Sequence, residues 1–183
     1  MEKQPLLSAL NICKSFPGVK ALNDVSLTCY SGEIIGLVGE NGAGKSTLMK
    51  ILSGAYTKDS GTVFMEGTEV LISNPAQSQN CGIGIVYQDT RLVEDLTVAQ
   101  NIFLGHEIAK RSGFLDIRSM ERKSTELISK FGIEIDPRSL IKELTVAQKQ
   151  LVEIAKALSR PTKLLILDEP TSSLTSSEAN KLF

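Results

Sequence analysis

The segment Ile34-Ile35-Gly36-Leu37-Val38-Gly39-Glu40-Asn41-Gly42-Ala43-Gly44-Lys45-Ser46-Thr47 passes from an unbroken apolar run, through a glycine-rich turn, into residues that favour a helix. Continuous rather than alternating apolarity over 34–38 predicts a strand buried on both faces, as in a parallel sheet. Leu48, Ile51 and Leu52 follow at helical spacing, and Gly54 is placed to close that helix. Between strand and helix, Gly39 to Ser46 matches G-x-x-x-x-G-K-[ST]. Gly39, Gly42 and Gly44, with Glu40, Asn41 and Ala43 between them, let backbone N–H groups turn inward around phosphate oxygens, and the helix N-terminus adds its positive end. In such a loop Lys45 reaches the β and γ phosphates of a nucleotide and Ser46 ligates Mg²⁺, with Thr47 completing the phosphate-holding set.

A second apolar run, Leu164-Leu165-Ile166-Leu167, ends in Asp168-Glu169-Pro170. A carboxylate at the end of a buried strand can hold Mg²⁺ through water, the role expected of Asp168. Glu169 is then the candidate base that orients or deprotonates the attacking water. Two acids after an apolar strand are common loop starts; only the phosphate loop upstream gives this pair its chemical reading.

The rest of the chain bounds these motifs. Its 183 residues, 42% hydrophobic and 22% charged, suit one globular domain with a real core. A net charge of −1 leaves no global basic field to attract nucleic acid or anionic lipid. No stretch approaches the roughly 18 apolar residues of a spanning helix. Cys13, Cys29 and Cys81 fit neither a disulfide framework nor a zinc site and read as reduced, mostly buried small hydrophobes. Strands are expected around 6–12, 25–30 and 82–88, with a turn and hairpin over 61–72. From Thr97 to about Ser159 the pattern is helical, with Met120, Leu127, Ile128 and Phe131 on one face and Leu151, Ile154, Ala155 and Leu158 on another.

With both motifs in place, the chain resembles the ATP-binding-cassette (ABC) ATPases over essentially its whole length. The resemblance implies an α/β P-loop NTPase cassette with an antiparallel β subdomain and an inserted helical subdomain, C-terminally truncated. It reads as a single ABC ATPase domain over 1–183, with 1–88 and 160–183 forming the nucleotide-binding core and 89–159 the helical subdomain. Gln88 matches the family's glutamine loop, implying contact with Mg²⁺ or the lytic water. Phe16 matches the aromatic that stacks on adenine, where a flat π face suffices. Lys45, Gln88 and Glu169 are then the catalytic set, and Ser46, Asp168 and Gln88 the metal set. A switch histidine lies downstream of the glutamate in the family; His106 precedes Asp168, cannot fill that role, and reads as a partly exposed helix residue. The truncation implies weak or absent hydrolysis by this chain alone.

The pentapeptide LTVAQ occurs at 96–100 and again at 144–148. Each copy spaces Thr and Gln as in a capping box, so each reads as a helix start. The second copy lies where the ABC family carries its Leu-Ser-Gly-Gly-Gln signature, which presses on the nucleotide of the opposite protomer. The resemblance therefore implies that Thr145, Val146, Ala147 and Gln148 act in trans, although Thr replaces Ser and Val146 and Ala147 crowd the approach. Thr175 with Glu178 forms a third possible capping box.

These departures, with Phe16-Pro17-Gly18-Val19-Lys20-Ala21-Leu22, Asn101-Ile102-Phe103-Leu104-Gly105 and Val152-Glu153-Ile154-Ala155-Lys156-Ala157-Leu158, look like the first cassette of fused double-ATPase subunits in bacterial monosaccharide importers. That implies ATP and Mg²⁺ as cofactors, membrane permease subunits and a second cassette, fused or dimeric, as partners, and indirectly a periplasmic or extracellular sugar-binding protein. It implies no nucleic acid, and a peripheral place on the cytoplasmic face of the membrane. The competing readings are a cassette for another solute such as nucleosides, a soluble ABC ATPase of DNA repair or translation, and a degenerate half-site that holds ATP with little turnover.

Overall fold

The computed structural model describes residues 3–87 and 91–168, so Gln88, Glu169 and the Thr175–Glu178 pair lie outside the described residues. The chain divides into two compact units, Met1–Gly84 and Ile85–Phe183.

In the first unit, β1 (Leu7–Phe16), β2 (Val19–Cys29), β3 (Ser60–Met65) and β4 (Thr68–Glu69) form an antiparallel sheet in the order β2-β1-β3-β4. Leu7 and Ala9 are fully buried at the period of 2 of a half-buried strand, and Ile12, three residues beyond Ala9, is fully buried too. The β1–β2 register shifts between Ala9 and Ile12. Near the shift, Asn11 and Asp24 both adopt left-handed backbone and are joined by an Asn11 Nδ2 to Asp24 Oδ1 hydrogen bond of 2.8 Å. Asn and Asp tolerate that conformation better than other side chains. Helix α1 (Lys45–Leu52) packs on β2 and buries Leu48, Ile51 and Leu52. It ends at Ser53, and the Gly54 N–H closes it onto the Ile51 carbonyl at 3.0 Å, as expected from the sequence. A short helix α2 (Pro75–Asn80) begins with Asn74 as its cap, accepting from the Gln77 N–H at 3.0 Å, and with Pro75 in the first turn.

The apolar run 34–38 is not the buried strand that its composition predicts. It is irregular backbone, with Ile34 75% and Val38 95% exposed. An apolar run becomes a strand only where neighbouring strands take up its N–H and C=O groups. Among the described residues no strand pairs with it; one sheet is edged by β2 and β4, and the other consists of β5 and β6 alone.

The second unit carries the two-stranded sheet, β5 (Ile83–Val86) entering it and β6 (Leu164–Leu167) beside it, with the Asp168 N–H on the Val86 carbonyl at 3.0 Å. Its helices are α3 (Val98–Ile102), α4 (Ile117–Ser129) and α5 (Val146–Leu158). Met120, Ile128 and Phe131 meet Leu151, Val152, Ile154 and Ala155 in one apolar core with Val98 and Ile102. β6 falls in the same compact unit as the helices.

Two polar features of this unit escape the hydrophobic pattern. Asn101 is 0% exposed, yet its Oδ1 accepts from the Val93 N–H and its Nδ2 donates to the carbonyls of Val93, Leu96 and Thr97. It fixes the segment before α3 to the helix. His106 lies in a bend after α3 rather than in a helix, and its Nε2 meets the Ser159 hydroxyl at 2.8 Å. Cys29 is buried, and burial pushes its thiol up; Cys13 and Cys81 are half-exposed, so the expectation of mostly buried thiols holds for Cys29 alone. Cys13 is held low by hydrogen bonds from Ser60 and from the Asp24 N–H.

Asn101→Leu keeps the volume but leaves the Val93 N–H without its side-chain acceptor and takes one donor each from the carbonyls of Val93, Leu96 and Thr97, which keep their backbone partners, and is expected to destabilise the chain by on the order of 1 kcal/mol. An unchanged urea midpoint would count against the clamp. Burial, and then the nearby Arg160 charge, hold the His106 imidazole below its usual range. The unfolded chain therefore takes up the proton first, and stability is lost as pH falls below about 6.5 towards the lowered folded value. Urea midpoints at pH 7.5 and 5.5 should show this fall, and His106→Gln should reduce it.

Candidate nucleotide-binding site

The first unit carries the phosphate-loop candidates. Residues 39–44 form an open loop in which Gly42 and Gly44 take φ of 86° and 91°, a conformation L side chains rarely adopt. At Gly44 a Cβ would also meet the Ala21 carbonyl oxygen at 2.6 Å and Leu22 Cδ2 at 2.7 Å, so glycine is demanded there by conformation and by close packing together. Gly44 caps α1 with no side-chain hydrogen bond, leaving the first-turn N–H groups of that helix for an anion. Lys45 Nζ donates to the carbonyls of Gly39 at 2.6 Å and Glu40 at 2.9 Å, which keeps its ammonium over the loop. Ser46 is exposed beside it on the first turn of α1. Phe16, half-buried at the end of β1, belongs to the same unit.

The second unit supplies the other candidates. Asp168 is half-buried at the end of β6. A serine hydroxyl, a carboxylate and an amide oxygen form a hard donor set of the kind that suits Mg²⁺, so Ser46, Asp168 and Gln88 fit that ion in chemistry. Lys45 and Ser46 fall in the first unit and Asp168 in the second, and each is described within its own unit.

The two LTVAQ copies share their local chemistry and differ in burial. Thr97 and Thr145 both cap helices, each accepting from the N–H of the glutamine three residues on, and each glutamine returns Oε1 to the threonine N–H. Both capping boxes expected from the sequence are present. In the first copy Val98 and Ala99 are buried, and their N–H groups bond to the carbonyls of Ser139 and Pro137. In the second, Val146 is 63% exposed, and among the described residues no carbonyl accepts from the N–H of Val146 or Ala147. The first copy is internal structure; the second displays a helix N-terminus. The Thr145 hydroxyl also donates to Gln148 Oε1 at 3.2 Å.

Further contacts join residues whose pairing the sequence does not reveal. The segment after Gln88 is tied along α5: the Arg91 N–H donates to Glu153 Oε1, and Glu94 pairs with Lys149 at 2.9 Å. In the first unit Tyr56 meets the Phe16 ring. No described helix is long and apolar enough to cross a membrane.

An open glycine loop, a lysine held over it and a helix N-terminus without a side-chain cap give the stretch read as G-x-x-x-x-G-K-[ST] the form expected of it. Residues 22–172 match the ABC transporter family, and the chain belongs to that family. It is 46% identical over all 183 residues to the ribose import ATP-binding protein RbsA of Clostridium perfringens (strain SM101 / Type A), of which it covers 36%. The chain thus spans about a third of the length of the curated relatives it matches. Among solved structures it resembles the ADP conformation of MJ1267, an ATP-binding cassette of an ABC transporter, with TM-score 0.80 and 26% identity over 97% of this chain and 74% of that one. It also resembles cbiO1 from Clostridium perfringens, part of the ABC transporter complex cbiONQ, with TM-score 0.78 and 26% identity over 98% of this chain and 71% of that one. These likenesses agree with the cassette fold expected from the sequence.

Removing the charge over the loop tests the phosphate reading. Lys45→Ala should weaken MgATP binding by about 10-fold or more in calorimetry. Unchanged affinity would take Lys45 out of the site.

Proposed function

We propose that this chain is the ATP-binding and ATP-hydrolysing cassette of a monosaccharide importer. The observation that carries the nucleotide half of this reading is the loop over 39–46, with Lys45 aimed across it and α1 opening beneath it. Lys45 draws the β and γ phosphates onto the loop, the glycines bring backbone N–H groups to their oxygens, and Phe16 stacks on the adenine. Ser46, Asp168 and Gln88 would hold Mg²⁺, which would supply charge neutralisation to the phosphates. Gln88 and Glu169 orient the attacking water, with Glu169 taking its proton. Catalysis is mainly positioning and charge stabilisation. In the intact cassette we assign 1–88 and 160–183 to the nucleotide-binding core and 89–159 to the helical subdomain.

The displayed copy of LTVAQ supports the role in trans. Thr145, Val146, Ala147 and Gln148 would close on nucleotide held by a second cassette, fused or dimeric, and opening after hydrolysis would drive permease subunits that receive sugar from a periplasmic or extracellular binding protein. The cassette would then lie peripherally on the cytoplasmic face of the membrane. The sugar assignment leans on the likeness to a ribose import protein, and the cassette itself does not touch the sugar.

A second reading has its own observation. The Thr145 hydroxyl donates to Gln148, and Val146 and Ala147 add bulk where close backbone approach is needed, which suits a half-site that holds ATP with little turnover. Steady-state ATPase assays with and without the cognate permease subunits separate the two: stimulated turnover supports the importer cassette, and tight binding without turnover supports the half-site. Arg91 and Glu94 are exposed within the stretch from Gln88 to His106, where a permease subunit should dock. Arg91→Cys and Glu94→Cys should crosslink to purified permease, and labelling only elsewhere would sink that assignment.

A further inference from the structure

Phe16 does not stand alone at the end of β1. The loop that leaves α1 returns to it in two places. Tyr56 meets the Phe16 ring with centroids 5.4 Å apart and planes at 68°, the edge-to-face geometry that aromatic pairs favour. Three residues on, Asp59 clamps the strand leading to Phe16. Its Oδ1 takes Lys14 Nζ at 2.7 Å, its Oδ2 accepts from the Ser15 N–H at 2.7 Å, and its own N–H donates to the Cys13 carbonyl at 2.9 Å. Those two hydrogen bonds hold the Asp59 carboxyl below the usual carboxylate range. Lys14 lies 5.5 Å from the Phe16 centroid and Lys50, on α1, 5.4 Å from that of Tyr56. The Tyr56 N–H returns to the Lys50 carbonyl at 2.9 Å. Tyr56 is therefore fixed to the helix that begins at Lys45, and Phe16 is fixed to Tyr56.

We infer that Tyr56 is a positioning residue for base recognition: braced on α1 and backed by the Asp59 clamp, it sets the plane of the Phe16 ring relative to the phosphate loop. This rests on Phe16 being the adenine contact. A phenylalanine on a strand end that no second element held would pivot freely about χ1 and χ2, and stacking affinity would be lost in ordering it. With Tyr56 against it, the ring is ordered before nucleotide arrives, and the distance between base and phosphates is set by the 53–59 loop.

The test compares ATP with inorganic tripolyphosphate, which has the phosphates and lacks the base, by calorimetry with Mg²⁺ on the chain and on Phe16→Ala, Tyr56→Ala and Tyr56→Phe. Phe16→Ala and Tyr56→Ala should each weaken ATP about 5-fold or more while leaving tripolyphosphate unchanged, and Tyr56→Phe should keep ATP affinity. If Phe16→Ala weakens ATP and Tyr56→Ala does not, the inference about Tyr56 fails and the adenine contact stands. If Phe16→Ala leaves ATP unchanged, the adenine contact itself is wrong. If Tyr56→Ala weakens both ligands equally, Tyr56 supports the phosphate loop rather than the base, and the inference is overturned.

Discussion

The contact on which the candidate site depends is the seating of Gly44 against β2. A glycine in left-handed backbone lies so close to the Ala21 carbonyl and the Leu22 side chain that no Cβ fits. That contact fixes where α1 starts relative to the sheet, and so where Lys45 and Ser46 stand relative to Phe16, which ends β1 beside the Ala21–Leu22 stretch of β2. The buried face of α1, Leu48, Ile51 and Leu52, then holds the helix down. Any larger residue at 44 would push the phosphate loop off the sheet and lose both features together.

The repeated pentapeptide shows how one local chemistry can serve two ends. Capping boxes are satisfied by Thr and Gln regardless of what lies outside the helix. What distinguishes the copies is what happens to the next two backbone N–H groups. In α3 the chain over 137–139 covers them; in α5 no carbonyl among the described residues accepts from them, and Val146 is exposed. A helix N-terminus with free donors is suited to phosphate, and one with its donors consumed is suited only to packing.

Much of this was legible from spacing alone. The hairpin within 61–72, the helix after the phosphate loop, both capping boxes and the apolar faces of α4 and α5 follow from periodicity and end signals that act over a few residues, whereas the turn joining β1 to β2 was not read. Helix α2 was missed although Asn74-Pro75 is a start signal, because the six residues that follow carry no apolar stripe. The buried state of 34–38 was expected from composition, but a strand is a property of its neighbours, and no ladder partner is found among the described residues. Asn101, Tyr56 and Asp59 were invisible for the same reason: their partners at 93–97, 16 and 13–15 come together only in the folded chain.

The central claim is that the first unit holds the nucleotide by a loop, a lysine and a ring that its own packing has already placed. Backbone amide and aromatic side-chain chemical shifts, followed by NMR as MgATP is added, test it directly. The account predicts saturable shifts centred on Gly39 to Thr47 and on the Phe16 and Tyr56 rings. Shifts absent from these residues, or centred on another surface, would contradict it.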